Sequence, residues 1–252
     1  MVWLPGFHEV RESPSTQDGV LEILQADPSL NFAALRAERQ TRGRGRQERE
    51  WVSPVGNLYL TLGFRVDRHA KHPWPFVSLL AGIAAARSLK HLQAWDEHCL
   101  IKWPNDLYRI EVERVSKFGG ILTELRKDIL LIGIGINIET APPLSESSYS
   151  ATSLNDFAAQ KPSASELGQT IATTLKPLFE TWMASTDATT TIAIDELSRI
   201  WMKPFFSLKG HVEGIGEVRA TRLFEDGRLC VASLQNPQEL HTIASGEFRF
   251  VI

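Results

Sequence analysis

The chain has 252 residues, 43% of them hydrophobic, enough to bury the core of one large domain with room for a small appendage. Its net charge of −3 and pI near 6.2 argue against a protein that coats nucleic acid, so a basic stretch must answer to a local ligand. Cys99 and Cys230 lack disulfide or metal-ligand spacing, and neither a basic leader nor a run of about 18 apolar residues occurs; a disulfide scaffold and a helical membrane span are excluded, and a reducing cytoplasmic setting is expected.

In chain order, residues 13–16 form a polar turn in which Ser15 or Thr16 caps a helix carrying Val20, Leu21, Ile23 and Leu24. Residues 32–38 read as a buried strand that delivers Gln40 and the tract from 40 to 59. There Gly43 and Gly45 interrupt Arg42, Arg44, Arg46 and Arg49, so the backbone can fold closely around an anion while forked guanidinium groups point at it. By itself such a tract reads equally as a nucleic-acid contact or a solvated loop. Residues 57–64 alternate as a second strand, which makes the tract a long excursion of the kind that closes as a lid.

A core-packed helix over 74–91 follows, with Val77, Leu80, Ala84 and Leu89 at helical spacing and Pro75 in its first turn. Leu100 to Lys102 end a strand, Pro104 withholds a ladder donor, and Asn105 and Asp106 open a return strand; alone, this is a hairpin turn as readily as a site. Over 116–124, Lys117 precedes Gly119 and Gly120, glycines that suit close approach of backbone to a ligand or another strand. Residues 129–138 form a nearly unbroken apolar strand buried on both faces, and Gly133 and Gly135 leave gaps on one face for a ligand ring or a neighbouring chain. Residues 141–152 read as a loop. A helix then carries Leu167, Ile171, Leu175, Leu178, Phe179 and Trp182, a Thr-rich connection spans 186–191, and a short helix spans 195–201. From Pro204 onward, short strands with turns at 225–227 and 236–237 indicate a small β barrel or sandwich docked on the main domain. His69 and His72 could share a helix face but lack a third ligand, and neither a Gly-x-Ser-x-Gly elbow nor a Walker loop is present.

Taken together, Ser15-Thr16, the tract 40–59, Lys102-Trp-Pro-Asn-Asp-Leu-Tyr108, Lys117-Phe-Gly-Gly-Ile-Leu122 and Gly133-Ile-Gly-Ile-Asn137 resemble, in order and spacing, the biotin protein ligases. The resemblance implies an α+β fold: a class II aminoacyl-tRNA synthetase-like mixed sheet with flanking helices over 1–203, and a small Src-homology-3-like barrel over 204–252. With a dozen residues before Ser13, the chain is similar to short members without the DNA-binding domain. The implied activity is ATP-dependent biotinylation of a lysine on a carboxylase biotin carrier protein through biotinyl-5′-AMP, with Mg2+ bound along with ATP and no metal site from protein groups alone. The implied partners are that carrier, biotin and ATP, with no DNA or membrane, and a homodimer is left open. Carried over position by position, Lys117, Asp106 and Arg46 are catalytic. Ser15, Thr16, Gln17, Gln40, Arg44, Gly45, Arg46, Trp51, Lys117, Gly119 and Gly120 surround biotin. Arg44, Arg46, Arg49, Asn105, Lys117 and Asn137 surround ATP and the adenylate.

The chemistry is consistent with that set. A carboxylate is already ionised at neutral pH, so its attack on a polyphosphate needs positive charge rather than a base, whereas the carrier amine must lose a proton, which Asp106 can receive. A lid over 42–51 should exclude water from the mixed anhydride and be disordered without ligand. The chain departs from the family where Gln17 replaces Asn and where Gln47 and Glu48 replace Arg and Gly, and the latter two lower the loop's charge and stiffen it. A lipoate ligase of the same fold is the nearest alternative; a nucleic-acid-binding module using the Arg-Gly loop and the barrel is a distant one.

Overall fold

The computed structural model describes residues 4–251 except 68, 70–71, 113, 143–149, 185 and 245–247, and omits the side chains of residues 48 and 186–188. Most of the loop expected over 141–152, and the side chain of Glu48, thus lie outside the described residues.

The main sheet is mixed. It contains β1 (Phe7–Ser13), β2 (Phe32–Gln40), β3 (Leu58–Arg65), β4 (Cys99–Lys102), β5 (Asp106–Glu111), β6 (Arg114–Arg126), β7 (Ile129–Ile136) and the short β8 (Ser150–Ala151). The order is β1-β2-β3-β7-β6-β5-β4, with β8 beside β6; β1–β2 and β6–β8 are parallel and the other pairs antiparallel.

The pleat sorts these strands into two faces. On one face, Ala33 and Leu35 of β2 and Ile129 and Leu131 of β7 bury Val20 and Leu24 of α1 (Thr16–Ala26). Gly63 of β3 belongs here too: a Cβ on it would stand 2.4 Å from Val20 Cγ1, so the helix seats only on glycine. On the other face, Leu58, Leu60 and Leu62 of β3 and Leu130, Ile132, Ile134 and Ile136 of β7 pack on α2 (Val77–His91) and α4 (Ala164–Ala184), the latter entered after the one-turn α3 (Leu154–Phe157). Gly133 and Gly135 continue the α1 face beyond the end of that helix's cover, and the site lies there.

Several expectations are corrected. β1 went unpredicted because its residues, Phe-His-Glu-Val-Arg-Glu-Ser, are mostly exposed at a sheet edge and carry no apolar alternation; pairing with β2 and the Glu9–Arg36 ion pair (2.5 Å) hold it. Ser15 stands at the N-cap of α1, but its side chain makes no cap bond. The Thr-rich connection is instead α5 (Thr186–Glu196), running into a π turn (Leu197–Trp201). Tertiary packing overrides the weak helix propensity of threonine, because buried Thr190 accepts Trp182 Nε1–H at 2.9 Å and Ala193 and Leu197 join the core. Neither His69 nor His72 lies on a helix; the His72 ring packs 5.5 Å from Trp74 and 5.1 Å from Trp182.

The second sheet, order β12-β11-β10-β9-β13, is antiparallel and barrel-like: β9 (Lys209–Val212), β10 (Gly216–Leu223), β11 (Leu229–Ser233), β12 (Leu240–Ile243) and β13 (Phe248–Phe250). It shares one apolar cluster with the main sheet. The short α6 (Lys203–Ser207) places Phe205 4.8 Å from Phe248, ring to ring. Fully buried Trp103 donates Nε1–H to Gly227 O (2.8 Å), in the turn between β10 and β11. Burying an indole of this size contributes about 4–6 kcal/mol, part of it across the contact between the two sheets.

Candidate active site

Above Gly133 and Gly135 lies a cavity of about 720 Å³, a volume suited to a small-molecule ligand. Its lining includes six cationic side chains (Arg44, Arg46, Arg49, Lys102, Lys117 and Arg249) against the carboxylates Glu50 and Asp106, which selects for an anion. Of the predicted site residues, Ser15, Thr16, Gln17, Gln40, Arg44, Gly45, Arg46, Arg49, Trp51, Asn105, Asp106, Lys117, Gly120 and Asn137 all line it. Gly119 does not. Neighbours on a strand face opposite ways, and a Cβ on Gly119 would meet Leu107 Cδ1 at 2.9 Å and Gly135 O at 3.1 Å, inside the sheet.

Lys117 and Gly120 are three residues apart and would face opposite sides of a regular strand. The register shifts between them, since Tyr108 pairs with Lys117 and Leu107 with Gly119, which makes Phe118 the extra residue of a β-bulge. The bulge returns Lys117 to the cavity side. Its Nζ stands 2.6 Å from Asp106 Oδ1, off the line of a straight hydrogen bond, with side-chain exposures of 19% and 14%. Asp106 starts β5 opposite Lys102, and the preceding Asn105 is fixed by donating Nδ2–H to Ile121 O (2.8 Å). Asn105 Oδ1 in turn accepts Arg46 Nη1–H (3.0 Å), so a turn residue aims a guanidinium. Asn137 is held by its Nδ2–H to Thr152 O (3.1 Å), and the turn after it by Asn57, whose Oδ1 accepts three backbone N–H groups at 138–140.

The lid over 42–51 is folded, with Trp51 over the cavity. Gly45 N–H bonds Arg49 O (2.7 Å) and Trp51 N–H bonds Gly43 O (2.9 Å), around a single 3-10 turn at Arg46–Glu48. Arg44 forks onto Asp18 of α1 (2.7 and 2.8 Å), and this hydrogen bond holds the Asp18 carboxyl below its ordinary range. The Trp51 indole lies on Gly135, where a Cβ would come within 2.7 Å of it, and Lys117 Nζ is 5.5 Å from its ring. The gaps at Gly133 and Gly135 therefore receive the protein's own Gln17 and Trp51 rather than a neighbouring chain. Two buried donors of this lid, Arg44 Nε and Trp51 Nε1, have no acceptor among the described residues.

Gln17 donates Nε2–H to Leu122 O (3.0 Å), which fixes its amide over Gly133. Lys102, 6% exposed, lies 5.5 Å from the Tyr108 ring and 5.8 Å from that of Phe250. Lys102, Phe248 and Arg249 are cavity residues that sequence reasoning missed. Lys102 ends β4, and a strand-end position by itself does not mark a cavity residue. Phe248 and Arg249 arrive from the second sheet, with no local signal at all. Among the described residues no helix is long and apolar enough to cross a membrane, and no cluster of three or more His, Cys, Asp or Glu could hold a metal.

Residues 11–140, just over half of the chain, match the model of the biotin/lipoate A/B protein ligase family. The chain is 29% identical over 227 residues to the biotin–[acetyl-CoA-carboxylase] ligase of Mycobacterium tuberculosis, covering 88% of this chain and 81% of that protein. In fold it is similar to the biotin protein ligase from Aquifex aeolicus in complex with biotin and ATP, with a TM-score of 0.75 at 24% identity over 98% of this chain and 99% of the other. It is also similar to the biotin protein ligase from Leishmania major in complex with biotin (TM-score 0.69, 28% identity, 96% and 99% coverage) and with biotinyl-5-AMP (TM-score 0.65, 27% identity, 96% and 100% coverage). Since the family model matches more than half of the chain, the chain belongs to the biotin/lipoate A/B protein ligase family.

Proposed function

We propose that this protein attaches biotin to a lysine of a carboxylase carrier protein in two steps. The biotin carboxylate attacks the α-phosphorus of ATP and pyrophosphate leaves; the carrier amine then attacks the acyl carbon of biotinyl-5′-AMP, AMP leaves with the bonding pair, and the amine sheds a proton. The observation that carries this reading is the folded lid, with Arg44 Nε and Trp51 Nε1 as buried donors that have no acceptor among the described residues over a cation-rich cavity, since an acceptor-rich anion satisfies both.

Lys117 and Arg46 offset the charge that gathers on the carboxylate and phosphoryl oxygens. Arg46 is aimed by Asn105, while Arg44 is engaged with Asp18 and offers its Nε. Asp106 sits beside Lys117, orients the incoming amine and takes up its proton. Mg2+ arrives with ATP as part of the substrate. At the ring end, Gln17 keeps its amide oxygen as an acceptor while its Nε2 is engaged, which suits a ureido N–H and not a dithiolane. ATP–pyrophosphate exchange with biotin and lipoate in parallel tests the assignment; exchange with lipoate but not biotin would overturn it.

A further inference from the structure

Ser53 does not line the cavity and is 7% exposed, yet it joins the ring cradle to the lid. We propose that Ser53 is a positioning residue that holds the lid shut through a directional hydrogen-bond relay anchored at Thr16 and Gln40. The proposal rests on the adenylate-forming reading for its consequence in turnover.

The direction of the relay follows from donor and acceptor chemistry. Thr16 N–H can only donate, and it bonds Gln40 Oε1 at 2.8 Å, which fixes the Gln40 amide with Nε2 turned the other way. Thr16 Oγ1–H also donates to Gln40 Oε1 (3.1 Å), so the 2.8 Å contact between Thr16 and Thr61 hydroxyls is donated by Thr61. Gln40 Nε2–H donates to Ser53 Oγ (3.0 Å), and the Ser53 hydroxyl donates to Trp51 O (2.7 Å). Each hydroxyl proton has one acceptor, and the run ends on the backbone of the residue whose indole covers Gly135.

Local structure reinforces this path. Gln40 N–H also reaches Ser53 O (3.4 Å), so a shift of Gln40 pulls Ser53 at two points. A Cβ on Gly43 would come within 2.4 Å of Trp51 O, 2.6 Å of Ser53 Oγ and 2.9 Å of Gln40 Nε2, so the relay runs through a gap that only glycine leaves. Next along the chain, Tyr59 donates its hydroxyl to Pro54 O (2.7 Å), and burial pushes that phenol up, keeping it a donor. Gln40 thus has both ends of its amide engaged within the protein, and it acts on the lid rather than solely on a ligand.

The test uses the full chain with Ser53→Ala, Gln40→Ala and the double variant. In the unliganded proteins, Ser53→Ala should raise amide exchange at Gly45 and Trp51 about 5- to 20-fold, the effect of losing one or two hydrogen bonds. In turnover, single-cycle adenylate should be lost from Ser53→Ala faster by a similar factor while KM for biotin stays within about twofold, because Ser53 touches no cavity space. Gln40→Ala should change both, and the double variant should release more slowly than the two single effects added together predict. Melting temperatures control for general destabilisation. Wild-type exchange at both amides in Ser53→Ala, or fully additive release in the double variant, overturns the relay. Failure of the wild type to make adenylate from biotin overturns the functional reading alone, because the exchange result needs no substrate.

Discussion

Replacing Lys117 with Gln keeps the length of the side chain and removes one charge from the centre of the cavity. Two unit charges about 4 Å apart in a partly buried site interact by on the order of 4 kcal/mol, and the remaining arginines offset part of that loss. We therefore expect adenylation to be weakened by about 2–4 kcal/mol, or roughly 30- to 1000-fold in rate. A second effect must be separated from the first: Asp106, 2.6 Å from Lys117 and 14% exposed, is left as a carboxylate without its cation. That costs about 1–3 kcal/mol of stability, on the order of 2–10 °C in Tm for a chain of this size. The double variant Lys117→Gln/Asp106→Asn restores neutrality and should recover most of the Tm but none of the activity. Biotin-dependent ATP–pyrophosphate exchange and calorimetry read the two effects. Exchange within a few-fold of wild type in the single variant, or recovered exchange in the double, would refute the electrostatic role of Lys117.

Asp106→Asn alone, supplied with preformed biotinyl-adenylate, should transfer to a carrier lysine at least about tenfold more slowly; an unchanged rate confines Asp106 to the turn it begins. Gly135→Ala places a methyl within 2.7 Å of the Trp51 indole and should prop the lid open, raising adenylate loss about tenfold in a carrier-free release assay, and wild-type retention would mean that Trp51 is not the seal. For the Asp18–Arg44 anchor the sign runs as follows: the fork holds the folded Asp18 carboxyl below its ordinary 3.8, so its stabilisation is present above that value and lost as pH falls through the lower, folded one. Asp18→Asn should lower Tm by a constant amount from about pH 8 to 5 and by progressively less below 3.8, and a difference that varied near neutral pH would point to another group.

Local pattern alone determined much of this protein. Apolar alternation over 57–64 and the unbroken run over 129–138 gave β3 and β7, helical spacing gave α2 and α4, and glycines among arginines marked the lid, because each of these signals lies within a few residues of its cause. The resemblance in motif order supplied the chemistry and the polar residues at the centre of the cavity. Tertiary structure decided what depends on distant partners. A bulge at Phe118 puts Lys117 on the side of Gly120, and strand alternation removes Gly119 from the cavity, neither of which spacing reveals without register. Thr190 is helical with its hydroxyl bonded to Trp182, and β1 is a strand paired to the edge of β2. Phe248 and Arg249 reach the cavity only because the second sheet docks through Trp103 and Gly227, 124 residues apart. The resemblance makes Gln40 a ligand contact, and it lines the cavity. Its partners, Thr16 at one end of the amide and Ser53 at the other, exist only once the chain has folded around it, since a hydrogen bond is set by where two groups meet in space.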